Sequence, residues 1–423
     1  MSHRPRTRTV LSCGLLLVPL AVSATACGGS DSDALSANPY DAADQITANT
    51  PDGKKKADPD KPLEVSVKGD DARITDVTAT DSTGRFVHGE LSADGRHWRT
   101  TVPLAAGTRY TVRVSTEEED GSPGRKTLVV NTKDADGQLT AAFGPEAGEY
   151  GVGQPVTAEL SQPIKDPKAR AIVESALKVD SMPRVEGAWH WVDNKKLHFR
   201  PKEYWPAHAT ISVHSNLAGL KIAKGLYGGP SKPVKLTTGD RVEAVTDAGT
   251  HQMTVWRNGE SIKTVPVTTG KPGFSTRNGV KVVLAKESFV RMRSSTVGIA
   301  AGSESYDLPV YWATRVTWSG EYVHAAPWSV GSQGAANVSH GCTGMSTGNA
   351  QWFFNTVRVG DVVKVVNSGG DTMTPFDNGF GDWNMPWKEW RDGSALKSKA
   401  SSTTGAAERA QNPVGDARLR PRI

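Results

Sequence analysis

Apolar and polar residues alternate in short runs along most of this chain. Leu63, Val65 and Val67 lie two apart, as do Tyr110, Val112 and Val114, then Trp189 and Trp191, Leu197 and Phe199, and Ile211 and Val213. A period of two sends successive side chains to opposite faces, so each run predicts a half-buried strand. Asp94-Gly95 and Asn258-Gly259 supply turn signals between such runs. The pattern predicts a mainly β protein: a small β-sandwich over 63–136, with Trp98 in its core, a second β module over 137–240, and a β-rich domain over 241–368. Within the last, strands are expected near Thr264 to Thr268, Lys281 to Leu284 and Val362 to Val366.

One helix is expected inside the second module. Asp166 can cap it, Pro167 suits its first turn, and Ala169, Ile172, Val173, Ala176 and Leu177 share a face. Tyr204-Trp205-Pro206 reads as domain packing ahead of glycan contact. A short subdomain over 369–393 places Trp383, Trp387 and Trp390 at helix-compatible spacing, a docking face expected to clamp the 241–368 domain. Residues 394–423 lack apolar periodicity and read as a mobile tail.

The N-terminus reads differently. Arg4, Arg6 and Arg8 precede an apolar run from Leu11 to Val22 that is too short for a stable membrane span, so residues 1–26 resemble a signal peptide. Ala24-Thr25-Ala26-Cys27 resembles a lipobox with Ala24 in place of the usual leucine, from which lipidation of Cys27 is expected; the alternative is an ordinary small-residue cleavage site with a bystander thiol. Residues 27–62, rich in Asp, Ala, Lys and Pro, read as a solvated linker. The formal charge of +5 includes the three leader arginines, and the remainder is mixed in sign, which gives no support to nucleic-acid binding. The expected location is the outer face of the cytoplasmic membrane, held by the lipid anchor.

Of three cysteines, only Cys342 lies outside the leader region, in Ser339-His340-Gly341-Cys342. A free thiol near pKa ~8.5 is a weak nucleophile at neutral pH unless a base or positive charge lies close by. His324 and His340 are the nearby imidazoles. Gly341 lets the backbone approach an acyl carbon, so the amides of Gly341 and Cys342 are candidate oxyanion donors. A buried structural cysteine is the plainer reading, but two histidines and a glycine beside one thiol in a polar loop favour catalysis. Zinc is not expected, because His324, His340 and Cys342 lack a fourth ligand at a recognisable spacing. No phosphate-cradling loop is present, and no metal or cofactor is expected.

His324 precedes Ser339 by the fourteen residues Ala325 to Val338, and that spacing resembles the L,D-transpeptidases of bacterial cell walls. The resemblance continues through Tyr322 to Gly331, Asn349 to Phe353 and Gly381 to Trp387. It is closest to the actinobacterial multidomain type, in which two immunoglobulin-like modules precede the catalytic domain. It implies Cys342 as nucleophile, His324 as general base and His340 and Gly341 as supporting catalytic residues, with Tyr306, Ser339, Trp328 and Met292 around the substrate. Met292 has a core role as its alternative. Residues Gly298 to Tyr306 are expected to form a flap over the cleft.

Two positions depart from the family pattern. Gly344 stands where Asn is common, and Ala325 where Ser is frequent. The implied reaction joins a tetrapeptide donor stem of peptidoglycan to a diaminopimelate acceptor, giving a 3→3 crosslink through a thioester. Hydrolysis at the same site, an L,D-carboxypeptidase activity, is one alternative, and a non-catalytic wall-binding lipoprotein is another.

Overall fold

A computed structural model describes residues 38–50, 55–82, 84–297 and 302–396. The leader and Cys27, as well as the tail beyond 396, lie outside the described residues. Among the described residues no helix is long and apolar enough to cross a membrane.

Two four-stranded sheets form the first module. Val65, Trp98, Val112, Val114 and Val130 fill the space between them, because their alternating positions all point inward. Part of the expected linker belongs to this sandwich. Strand Ile46–Ala48 pairs antiparallel with Glu64–Val67, and Tyr40–Asp41 pairs parallel with Pro123–Asn131. Ile46 is 2% exposed. The polar composition of 27–62 hides two short strands whose few apolar side chains complete a core that lies elsewhere in the sequence.

The second module also has two four-stranded sheets, with a three-stranded ribbon at its side. Its helix α1 (Pro167–Ala176) starts where the sequence places it, with the Asp166 carboxylate accepting from the Ala169 N–H. Ala169, Val173, Ala176 and Leu177 are buried. Tyr204 packs edge-on against Trp383 and Trp205 is buried, so this segment is packing.

Two sheets make up the catalytic domain. The first contains β1 (Val242–Asp247), β2 (Gln252–Arg257), β3 (Glu260–Pro266), β4 (Gly279–Val282) and, from the chain end, β9 (Val362–Val366), in the order β3-β2-β1-β9-β4. The second runs β5 (Ala285–Arg293), β6 (Asp307–Arg315), β7 (Tyr322–Ala325) and β8 (Thr343–Met345). Met253, Val255, Val323, Met345 and Phe353 share one core, which brings together both sheets and helix α2 (Thr347–Thr356).

The tryptophan-rich segment grips the catalytic domain as expected and, more extensively, the second module, which the sequence does not point to. Helix α3 (Trp387–Asp392) and the turn before it dock chiefly on the second module: Trp390 Nε1 donates to Ala188 O at 2.9 Å and Trp383 Nε1 to Gly153 O at 2.8 Å. Arg200 lies over the rings of Trp383, Trp387 and Trp390 at 4.9, 5.3 and 4.6 Å. His198 Nδ1 meets Asp382 Oδ1 at 2.7 Å. Asn384 supplies the catalytic-domain half of the clamp, bonding both backbone groups of Val280. Spacing alone shows that a face will dock; the surface it docks on is set by the buried guanidinium and carbonyls of the second module.

Candidate active site

The register of β7 against β8 builds the site. These strands pair in parallel, with His324 opposite Gly344. Cys342 immediately precedes β8, and its thiol and the His324 imidazole line one cleft. A second brace holds the motif from the other side: Thr268 and Gly344 exchange both backbone hydrogen bonds, and Ser339 is bonded to Thr269 O and by Lys271 N–H.

His324 is buried, and its Nδ1–H donates to Ala325 O at 2.8 Å. A carbonyl can only accept, so the neutral ring carries its lone pair on Nε2, the state a base requires. Alanine therefore orients the imidazole through its backbone. Burial holds His324 below the ordinary imidazole pKa.

Cys342 is half-buried, and desolvation of its sulfur disfavours the thiolate. Its thiol donates to Gly320 O at 3.6 Å, rather than to His324, while the Tyr322 N–H points at the sulfur. Burial pushes the thiol up to about 12, with Glu321 adding to the rise, and the Tyr322 N–H and Lys281 opposing it. The resting pair is thus neutral thiol and neutral imidazole, and proton transfer must accompany attack on a bound substrate.

His340 has another partner. Its Nε2 lies 2.6 Å from Glu304 Oε2, which Lys271 Nζ also reaches at 2.6 Å. Tyr306 and Phe274 flank the ring at 5.2 and 4.7 Å. This histidine ties the motif to the segment ahead of β6, so the described part of the expected flap, 302–306, closes on the cleft through Glu304 and Tyr306. Residues 298–301 of that expectation lie outside the described residues.

Gly341 has φ +121°, a conformation that disfavours any side chain. Its N–H donates to Ser339 Oγ at 3.1 Å, and Ser339 Oγ donates to Cys342 O at 2.6 Å. The expectation that the Gly341 amide faces an oxyanion is therefore corrected, and the donors that the family resemblance implies narrow to the N–H groups of Cys342 and Tyr306. Ser339 lines the cleft, but its hydroxyl serves the tight turn. Thr276, which sequence reasoning missed, fixes the same turn from outside, its hydroxyl donating to Gly341 O at 2.8 Å.

Two clefts meet at Cys342, and both are also lined by Tyr306 and His340. One, of about 240 Å³, is largely apolar, with Met292, Leu308, Val310 and Trp328 around His324. The other, of about 660 Å³, is polar, with Arg277, Ser319, Glu321 and Asp371. Met292 and Trp328 are thus placed at the cleft. Gly344 is on its floor, where an added Cβ would come within 2.9 Å of Ala326 Cβ and 3.1 Å of Thr268 Cγ2. The room an asparagine side chain needs is already filled by these neighbours.

Residues 241–365 match the L,D-transpeptidase catalytic domain family, and residues 54–221 match the bacterial Ig domain family. L,D-transpeptidase 2 of Mycobacterium tuberculosis is 36% identical over 403 residues, covering 93% of this chain and 97% of that protein. L,D-transpeptidase 5 of the same species is 32% identical over 80% of this chain and 74% of its own length. The crystal structure of L,D-transpeptidase 3 from M. tuberculosis with a faropenem-derived adduct is 33% identical, covers 53% of this chain and 96% of that one, and superposes with a TM-score of 0.45. Matched along nearly its whole length to such a relative, with the histidine and cysteine of its motif in one cleft, this chain belongs to the L,D-transpeptidase family.

Proposed function

We propose that Cys342 is the acylated nucleophile and His324 its base in peptidoglycan crosslinking. His324 Nε2 takes the thiol proton as sulfur attacks the carbonyl of the third residue of a tetrapeptide stem. The same imidazolium then protonates the departing amine of the terminal D-alanine, leaving a thioester. The side-chain amine of an acceptor diaminopimelate attacks that thioester, His324 accepts its proton, and the thiol is restored as the new amide forms. The amide bond energy is carried through the thioester, so no nucleotide is consumed.

The β7–β8 register, which puts a neutral base with a free Nε2 into the cleft of the only motif thiol, carries this reading. Two clefts meeting at one sulfur favour transfer over hydrolysis, because donor and acceptor each have a place. The apolar cleft suits the donor stem, with Met292, Tyr306 and Trp328 along it. The leader and Cys27 support a lipid anchor that places this chemistry outside the cytoplasmic membrane.

Incubation with a disaccharide tetrapeptide should yield a crosslinked dimer by mass spectrometry, and Cys342→Ala should yield none. Trimmed monomer alone would instead assign the protein as a carboxypeptidase. A carbapenem should add its mass to Cys342, and failure of native protein to form that adduct would move the non-catalytic reading ahead. Because burial lowers the His324 pKa, the base stays unprotonated on mild acidification. The acid limb of kcat/KM should therefore fall below the usual imidazole range; a limb within or above it would contradict this assignment.

A further inference from the structure

Strand β4 reads Gly279-Val280-Lys281-Val282, and its one charged side chain is sealed inside the protein. Lys281 is 1% exposed, and its Nζ lies 2.5 Å from Glu321 Oε2. Glu321, also buried, places Oε1 2.8 Å from the Arg277 guanidinium and accepts the Arg277 backbone N–H at 3.3 Å. Its own N–H donates to Thr317 Oγ1 at 2.8 Å. The steps derived above use none of these three side chains.

Their location is what matters. Glu321 is the residue between Gly320, whose carbonyl receives the thiol proton, and Tyr322, whose N–H faces the sulfur. Lys281 and Glu321 both act electrostatically on Cys342, with opposite signs. Taking a lysine and a glutamate out of water costs several kcal/mol per ion, and an apolar pair of similar volume usually holds a fold as well. A buried charge pair beside a nucleophile therefore points to a task at that nucleophile.

We propose that Arg277, Glu321 and Lys281 are positioning residues for Cys342: Glu321 anchors the 317–322 turn that brackets the sulfur, and the balance of its charge against Lys281 and Arg277 sets how readily the thiol ionises. This rests on the reading of Cys342 as nucleophile. The other ionisable groups around the sulfur are His324 on β7, the phenols of Tyr322 and Tyr306, Asp371 in the polar cleft, and His340 with Glu304 and Lys271 behind it. Each is left in place by the substitutions below.

The signs follow from Coulomb's law. Lys281→Met removes a cation and leaves the Glu321 charge less balanced, which disfavours thiolate. Glu321→Gln removes the anion and leaves the Lys281 and Arg277 cations unbalanced, which favours it. The double variant returns the field close to its starting value.

The test is the rate of iodoacetamide alkylation of the full chain as a function of pH, with the label mapped to Cys342 by mass spectrometry. Displacements of roughly one pH unit are expected, so that at fixed pH Lys281→Met reacts about tenfold more slowly and Glu321→Gln about tenfold faster. The double variant should lie near the parent. Loss of a merely structural brace would not displace the curves in opposite directions, so displacement in one direction, or superposed curves, overturns the proposal. Arg277→Gln, at a partly exposed position, covers the case in which a buried variant does not fold; it should slow alkylation about threefold, and an unmoved curve there overturns the proposal equally. No stem peptide is involved: an unreactive Cys342 in the parent would fail the nucleophile assignment, whereas a reactive Cys342 with unshifted variants fails only this one.

Discussion

The first β module keeps a core of its own, running from Ala42 to Val130, whereas the core of the second continues into Val362 of the catalytic domain. The seams differ in the same sense. Between the two modules the contacts are few: Tyr227 and Lys221 reach Asp60, and Gly219 lies against Ala105. Between the second module and the catalytic domain the backbones touch. Gly151 N–H donates to Val359 O and Gly153 N–H to Gly360 O, and an added Cβ at Gly151 would fall 2.1 Å from Asp361 N. Arg358 pairs with Glu149 across the same seam, and the tryptophan segment locks it from the far side. The first module is thus a spacer on a loose joint, while the second is a structural part of the catalytic unit.

The strongest way to break this comparison is to cut one large aromatic side chain from each region. Trp390→Ala removes a fully buried ring from the clamp and Trp98→Ala a buried ring from the first core. Each should lose about 3–5 kcal/mol locally. In calorimetry Trp390→Ala should lower the melting of the second module and the catalytic domain together, whereas Trp98→Ala should lower a separate transition. A catalytic transition equally sensitive to both would show that the first module is no independent spacer.

Asp361 sharpens the comparison at the seam. It is fully buried, its Oδ2 accepts the Arg358 N–H at 2.8 Å, and its Oδ1 has no hydrogen-bond partner among the described residues. Burial raises its pKa to about 7 from the ordinary 3.8. A raised folded-state value means folding favours the protonated acid, so this group's contribution is fully present below pH ~4 and is lost as pH rises through 7, by roughly 4 kcal/mol in all. Asp361→Asn should flatten that loss, seen as a smaller fall in urea midpoint between pH 5 and pH 8. Parallel pH profiles for parent and variant would refute the account.

The smallest effect belongs to the loose joint. Lys221 Nζ reaches Asp60 at 2.7 Å, but both side chains are partly exposed. Asp60→Ala should therefore shift stability by no more than about 1 kcal/mol and leave crosslinking of soluble stems unchanged. A larger loss in either measurement would mean that the first two modules act as one body.

Much of this was legible beforehand. The alternations of Leu63 to Val67 and Tyr110 to Val114, the Asp166 cap and the Asn258-Gly259 hairpin are local signals, and each lies where the sequence predicts. Lys281 within a run of valines was a legible anomaly that the alternation reading passed over. Less legible were the strands of 38–50, where a polar composition masks a handful of core residues, and the target of the tryptophan clamp.

The sequence by itself determined where strands and turns form, which cysteine is free to react and which histidine lies at the motif spacing, because these depend on neighbours a few residues away. Only the tertiary structure decided the partners of the polar groups: His340 with Glu304, the Gly341 N–H with Ser339, Lys281 with Glu321, and Trp390 with Ala188. Periodicity states which face of an element is buried, but which donor meets which acceptor inside follows from strand register and domain docking, and for all but the Gly341 turn those bring together groups from distant parts of the chain.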